Sequence, residues 1–291
     1  MTLKIKTFGW RNQTLDQISR IDQGLKAIGC SFVEESPDIV YSNNDMYDDI
    51  LDYAKNQEKK PFIILNVLDL QTNNPTYDSE NVKNQLLQAD AITCISKTVQ
   101  KQVQNELNLD AAVIYNPTKE IHRDPKAYRS IPFLYVGRAN DPRKRFHLIK
   151  ETFESHNIDP RTLIICGSEN PDFGLYTGLL NDENLNALYN SCKFLLLPSK
   201  FEGLGLPMIE AMLAGSIPIT CNDNPTAVEL SPKEFLCDPE PRSLMSKLAE
   251  INKDYDFFQK ISLEYAEKYR VLMSKNVVAE KIIDIYKKSL C

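Results

Sequence analysis

Two carboxylates, Glu202 and Glu210, stand in residues 198–220, PSKFEGLGLPMIEAMLAGSIPIT. The apolar run Phe194-Leu195-Leu196-Leu197 before them reads as a strand. Gly203-Leu204-Gly205 then makes a turn, and Pro207 suits the first position of a helix. Gly215 ends that helix, and Ile217-Pro218-Ile219-Thr220 reads as the next strand. A helix N-terminus offers unpaired N–H groups and a partial positive charge to an anion. Glu202 lies on the loop facing such an anion, and Glu210 lies about one turn inside the helix. One carboxylate could hold sugar hydroxyls and the other a ribose. The spacing alone is equally compatible with a plain βα turn carrying two solvated glutamates.

A second cluster of chemical groups is YVGRANDPRKRF, residues 135–146. Gly137 closes a strand, and Arg138 sits at its C-terminal end, where open parallel sheets bind ligands. Arg143, Lys144 and Arg145 follow within seven residues. Cations converging on one point suit a diphosphate, and the alternative is a solvated basic loop. In IICGSENP, Gly167 and Ser168 follow another strand, where a glycine admits a ligand to the backbone or simply makes a turn. Gly9, Trp10 and Arg11 follow the first strand and are candidates for an opposing phosphate contact, unless Trp10 is a packing residue. The chain has no G-x-G-x-x-G fingerprint, no P-loop and no support for a Ser-His-Asp triad.

The elements that must position these groups alternate. LKIKTFGW, DIVYSN, PFIILNVLD, AITCIS and AAVIYNP read as strands, with amphipathic helical stretches such as LDQISRIDQGLKAIG, MYDDILDYAKNQ and KTVQKQVQNELN between them. Residues 117–130, PTKEIHRDPKAYRS, are polar, lack periodicity and read as a linker. The rhythm then restarts through PFLYVGR, TLIICGS, KFLLLPS and FLCDP, and residues from about 241 to 290 read as helical, with Val278, Ile282, Ile285 and Tyr286 at apolar spacing. This alternation predicts an α/β protein with two doubly wound parallel sheets and a ligand cleft between domains.

Composition narrows the partners. The 291 residues fit two α/β domains, and 42% hydrophobic with 25% charged residues is ordinary for a globular protein. Net charge is −6. Residues 1–125 carry 13 Lys and Arg against 18 Asp and Glu, and the remainder 21 against 22. Neither half is basic, which argues against nucleic acid as a partner and against strong binding to an anionic membrane, while a local basic patch for peripheral membrane contact stays open. No apolar run approaches the roughly 20 residues of a membrane span, and MTLKIKTFGW lacks the apolar stretch of a signal peptide. The seven cysteines include no C-x-x-C pair, and Cys94, Cys166, Cys221 and Cys237 read as reduced core residues of a cytoplasmic protein. The three histidines, His122, His147 and His156, form no metal-ligand pattern.

Residues 133–230 resemble the C-terminal domain of a GT-B-fold glycosyltransferase, specifically glycosyltransferase family 4. The resemblance is carried in order by YVGRANDPRKRF, LIICGS, NDENLNALYNSCKFLLLPSKFEGLGLPMIEAMLAGSIPIT and NPTAVEL, and more weakly by ADAITCISKTVQKQV and AVIYNPT. It implies a Rossmann-like acceptor domain over 1–120, a Rossmann-like nucleotide-sugar donor domain over 131–270, and a closing helix over 271–291 that packs back on the first. It also implies a retaining, metal-independent transfer from a nucleotide-diphosphate sugar, a UDP- or GDP-sugar, to a hydroxyl of a glycan or lipid-linked acceptor. In such enzymes Arg138 and Lys144 would neutralise the donor diphosphate, and Glu202 would bind hydroxyls of the donor sugar. The N–H groups of Gly205 and Leu206 would contact phosphate or sugar, with Gly137, Gly167, Gly203 and Leu204 lining the donor. Glu210 would bind the ribose hydroxyls, the backbone near Tyr176 would meet the base, and Gly9 would approach from the N-terminal domain.

Two departures stand out. The family histidine after the fourth N-terminal strand falls on Leu68 in Val67-Leu68-Asp69-Leu70, which leaves Asp69 or Asn66 to take part of its work. The loop from Arg138 to Lys144 is one residue longer than usual, so that Arg143 or Arg145 could share the role of the lysine. A non-catalytic nucleotide-sugar-binding subunit and a GT-B-fold nucleotide-sugar epimerase are the competing readings.

Overall fold

The computed structural model describes residues 2–9, 17–43, 47–70 and 77–290. They form two α/β units, Met1–Pro117 with Leu272–Cys291, and Thr118–Val271. Trp10 and Arg11 lie outside the described residues.

The first unit contains β1 (Lys4–Phe8), α1 (Gln17–Ala27), β2 (Ser31–Phe32), β3 (Ile39–Asn43), α2 (Tyr47–Lys55) and β4 (Phe62–Val67). There follow α3 (Ser79–Leu86), β5 (Ala91–Cys94), α4 (Lys97–Gln102) and β6 (Ala112–Val113). The six strands are all parallel, in the order β2-β1-β3-β4-β5-β6. Strands covered on both faces read as continuous apolar runs, and β4, FIILNV, is buried along nearly its whole length. The last helix of the chain, Lys275–Ser289, returns to this unit, where Val278, Ala279, Ile282 and Ile283 join Ile18, Ile21 and Leu25 of α1 in one core. Gly24 makes that approach close: a Cβ there would lie 2.1 Å from the carbonyl oxygen of Lys275.

The second unit runs β7 (Ile131–Val136), α5 (Phe146–Ser155), β8 (Leu163–Cys166), β9 (Leu175–Gly178), α6 (Asp182–Ser191), β10 (Cys192–Leu197), α7 (Leu206–Ala214), β11 (Ile217–Cys221), α8 (Pro225–Leu230) and β12 (Leu236–Cys237). Helices α9 (Pro241–Lys253) and α10 (Tyr255–Leu272) complete it, so the last helix, Lys275–Ser289, is α11. The sheet is parallel throughout, in the order β12-β11-β10-β7-β8-β9. Tyr135, Phe146, Phe153, Phe194, Leu196, Ile217, Ile219, Phe235 and Leu248 belong to its core. Pro218 sits within β11, where a proline removes a ladder donor. β12 pairs only with Thr220 and Cys221, beyond the proline, which leaves no ladder on that side at Pro218 to interrupt.

Residues 118–130 do not behave as a linker. They belong with the second unit and dress α6: the N–H groups of His122 and Asp124 donate to the Asn186 and Asn190 side chains at 2.9 and 2.7 Å, and Lys119 Nζ reaches Asp182 Oδ1 at 2.5 Å. Backbone groups paired to a helix in this way need no apolar periodicity, which is why the stretch reads as unstructured. The six described cysteines are free thiols, five of them buried, which agrees with reduced core residues.

Candidate active site

The candidate groups of the second unit gather at the C-terminal ends of β7, β8 and β10, the edge where an open parallel sheet binds ligands. Gly137 and Gly167 follow β7 and β8 and meet backbone to backbone. A Cβ on Gly167 would stand 2.1 Å from the Gly137 carbonyl oxygen. Gly137 N–H donates to Cys166 O at 3.0 Å, and the Tyr176 phenol closes the turn by donating to Gly167 O at 3.0 Å. Tyr176 therefore stands beside the Gly167 turn on β9.

The basic loop is organised by a carboxylate. Asp141 N-caps the 3-10 turn Pro142–Lys144 by accepting from Arg143 N–H at 3.0 Å. The same carboxylate accepts from Arg143 Nε at 3.1 Å, from Arg143 Nη2 at 2.9 Å and from Arg138 Nη2 at 2.9 Å. Arg138 and Arg143 therefore converge on Asp141, and Arg145 forms a bidentate pair with Asp223 at 2.9 and 2.6 Å. Only 11% of the Asp141 side chain is exposed, against 58% for Arg138, so the arginine keeps an open face. Burial raises the Asp141 carboxyl, but hydrogen bonds from Arg143 and the charges of Arg143 and Arg138 outweigh it, and the net effect holds it below the usual range.

Lys144 takes a different partner. Its Nζ lies 2.6 Å from Oε1 and 2.8 Å from Oε2 of Glu202, with the two side chains 16% and 11% exposed. Lys200 N–H donates to Arg143 O at 2.8 Å, a further tie between the loops after β7 and β10, and Thr226 Oγ1 on α8 donates to the Glu202 carbonyl. The resemblance assigns the role to Lys144 and leaves Arg143 or Arg145 to share it; the geometry pairs Lys144 with Glu202 and turns the two arginines to aspartates.

Beyond Glu202 the chain enters α7 through Gly203, the buried Leu204, and Gly205, which is the N-cap. Gly205 has φ +70°, a conformation that favours glycine, and makes no side-chain cap bond. The first helical residue is Leu206, and Pro207 is the second, one place later than the sequence suggested. Glu210 follows on the buried side of α7, 3% exposed, with its Oε2 accepting from the Tyr189 phenol at 3.1 Å. The α7 N-terminus therefore presents backbone donors next to a lysine–carboxylate pair, while a second carboxylate sits inside the first turns of the same helix.

Gly9 and Asp69 belong to the first unit, not to this cluster. Gly9 follows β1 and packs on α1, where a Cβ would come within 3.0 Å of Ile18 Cβ. Asp69 is half-buried two residues after β4, and Asn66, within that strand, is fully buried and accepts from Thr93 Oγ1 at 2.8 Å. Sequence reading missed Asp141, Tyr189, Asp223 and Thr226. A signal existed for Asp141, because an aspartate directly before a proline marks a helical start. None existed for Tyr189, whose spacing reads as an ordinary helix face. Among the described residues, no three His, Cys, Asp or Glu side chains gather as a metal site.

The fold is the GT-B fold, and the chain belongs to the family described as Glycosyl transferases group 1, which matches residues 118–270, more than half of its length. It is similar to the serotype-specific mannosyltransferase WbdA of Escherichia coli, 48% identical over 16% of this chain and 6% of that protein. It is also similar to the O-antigen chain mannosyltransferase RfbU of Salmonella typhimurium, 27% identical over 48% of this chain and 44% of that protein. The chain thus spans less than half the length of these curated relatives. Among solved structures, Anabaena Alr3699/HepE in complex with UDP-glucose superposes with a TM-score of 0.76 at 13% identity, covering 98% of this chain and 100% of that one. At that identity the likeness shows the fold. Among the described residues, no helix is long and apolar enough to cross a membrane.

Proposed function

We propose that this chain transfers a sugar from a nucleotide-diphosphate sugar to an acceptor hydroxyl, with retention of configuration and without a bound metal. The observation that carries the reading is the Lys144–Glu202 pair beside the N-terminus of α7, inside the segment that matches the glycosyltransferase family. In the reaction the bond from the anomeric carbon to the diphosphate oxygen breaks, and a bond to the acceptor oxygen forms. Positive charge builds on the sugar ring and negative charge on the departing diphosphate. Arg138, Lys144 and the N–H groups of Gly205 and Leu206 receive the negative charge at fixed positions. Lys144 supplies the compact cation that would otherwise have to come from an ion. Glu202 takes hydroxyls of the donor sugar, and Glu210 takes the ribose.

The donor we infer is a UDP- or GDP-sugar. UDP-glucose is the ligand of the similar Anabaena structure, and the similar enteric proteins are named for mannose transfer. The acceptor is a glycan or a lipid-linked glycan, and the setting is the cytoplasm. In place of the family histidine, whose position falls on Leu68, Asp69 would take part of its work. The test is a panel of UDP- and GDP-sugars offered to the purified chain with and without a metal chelator, with product configuration read by the anomeric coupling in proton NMR. Retained α-linked product in the presence of chelator supports every part of the reading. Inverted product overturns the stereochemistry, loss of turnover with chelator overturns metal independence, and neither binding nor turnover of any donor overturns the function.

A further inference from the structure

The Tyr189 phenol and the Glu210 carboxylate form a buried contact that the transfer chemistry above does not use. Tyr189 is fully buried near the end of α6, and its O–H donates to Glu210 Oε2 at 3.1 Å. The C-terminal ends of the two helices that carry them share one cation. Arg129 Nη1 donates to the carbonyls of Tyr189 and Cys192 at 3.1 and 2.6 Å, and its Nη2 donates to the carbonyl of Ala214, the last residue of α7, at 2.5 Å. Ser216 Oγ donates to the same Tyr189 carbonyl at 2.7 Å. The C-terminal ends of α6 and α7 are therefore pinned to one guanidinium, and the phenol meets the carboxylate at a fixed point along both helices.

A ribose presents two adjacent hydroxyl donors. A carboxylate recognises such a pair only if its plane is held, because each oxygen must face one hydroxyl. A glutamate side chain turns about three torsions, so its plane is set by the groups it bonds. A phenol locked by packing does, and burial together with the charge of Glu210 raises the Tyr189 hydroxyl well above its ordinary range, so it stays a donor at any working pH. We propose that Tyr189 is the positioning residue that sets ribose specificity, holding Glu210 for the 2′,3′-diol of the donor nucleotide. The inference rests on the ribose role given above to Glu210. Sites built to bond a hydroxyl reject the analogue that lacks it, because a buried polar group is left unpaired.

The test compares binding of UDP and GDP with that of their 2′-deoxy forms, by calorimetry, in wild type and Tyr189→Phe. The wild type should favour the ribonucleotide of whichever base it takes by about tenfold or more. Tyr189→Phe should weaken the ribonucleotide by about tenfold and leave the deoxynucleotide unchanged, so the preference collapses. Equal loss for both sugars means a merely structural tyrosine and overturns the proposal, as does no loss for either. A wild type that binds a nucleotide without discriminating the 2′-hydroxyl overturns the role of Glu210 and this inference with it, while leaving the transferase reading intact. A wild type that binds neither nucleotide overturns the transferase reading itself. If Tyr189→Phe does not fold, 3-fluorotyrosine at position 189 replaces it: a more acidic phenol donates more strongly, and the ribose preference should rise, whereas an unchanged preference overturns the proposal.

Discussion

Lys144 Nζ is nearly equidistant from the two oxygens of Glu202, at 2.6 and 2.8 Å, although 58 residues separate them in the chain. The pair is largely shielded from water, so each side chain is the other's main polar partner. Removing one partner leaves a poorly hydrated charge. Lys144→Met or Glu202→Gln should each lower stability by about 2 kcal/mol, less than for a fully buried pair because some solvent reaches both groups. The double variant should regain most of that in a denaturant titration. Turnover should not recover: each single change should raise the barrier by about 2–4 kcal/mol, and the double variant should be no faster. Stability returning while turnover stays lost would separate the two roles of the pair, and a tenfold or smaller loss of turnover in both single variants would count against the assigned chemistry.

Asp141 predicts a pH dependence. Its carboxyl is held below the ordinary value of about 3.9 because the bonds and charges of Arg143 and Arg138 outweigh the effect of burial. Between the folded and the ordinary value, the unfolded chain carries a proton that the folded chain does not, so acid favours unfolding there. The stabilisation is whole above about pH 4 and is lost as the pH falls through the folded value. Asp141→Asn should therefore be less stable than wild type near neutrality, and the gap between the two should shrink below about pH 4. A gap that stays constant down to acid unfolding would show that the carboxylate is not what holds the loop.

Much of this was legible in the chain, and the parts that were not share a cause. The segment Cys192–Cys221 was readable because a buried run, a glycine turn and a proline leave one solution for strand, turn and helix. Strand β2 is two residues long, too short to show a period, whereas the equally short β6 and β12 lie inside the readable runs AAVIYNP and FLCDP. β9 is an edge strand, LYTG, with no buried run to reveal it. The side-chain partners were hidden for a different reason. Lys144 and Glu202, Arg145 and Asp223, and Arg129 and Ala214 are each joined only by the order in which strands lie in the sheet, and local propensity does not carry that order. The motif residues were found because their spacing is local. Tyr189 and Arg129 were missed because their work depends on what lies across from them, whereas the partners of Asp141 are local and its aspartate–proline signal was there to read.

The two glycines of the site should fail differently. At Gly167 an added Cβ meets the Gly137 carbonyl oxygen at 2.1 Å, and backbone has little room to give. Gly167→Ala should cost about 3 kcal/mol, the upper range for forced overpacking. At Gly205 the nearest atoms are at 3.7 Å, ordinary contact, and the cost is the left-handed φ of +70° alone. Gly205→Ala should cost about 1 kcal/mol in stability. It should nevertheless weaken nucleotide-sugar binding more than Gly167→Ala does per unit of lost stability, because relaxing φ re-aims the first N–H groups of α7. Parallel denaturation and binding series would check the contrast.

Arg129 provides the last expectation. Its guanidinium serves the carbonyls of Tyr189, Cys192 and Ala214 and the hydroxyl of Ser216, at 2.5 to 3.1 Å. Burial lowers its affinity for a proton, but arginine starts so high that the charge persists at any working pH. A lysine carries the same charge from a single point and cannot span acceptors at the ends of two helices. Arg129→Lys should therefore cost about 3 kcal/mol, since several buried carbonyls lose a charged donor together. If the cation also sets the distance from α6 to α7, the loss should extend to the nucleotide: the ribose preference should fall in Arg129→Lys although position 129 bonds the backbone rather than Glu210. Measuring that preference below the melting point of the variant distinguishes a spacer from a simple staple, because a staple would lower stability and leave the preference as it was.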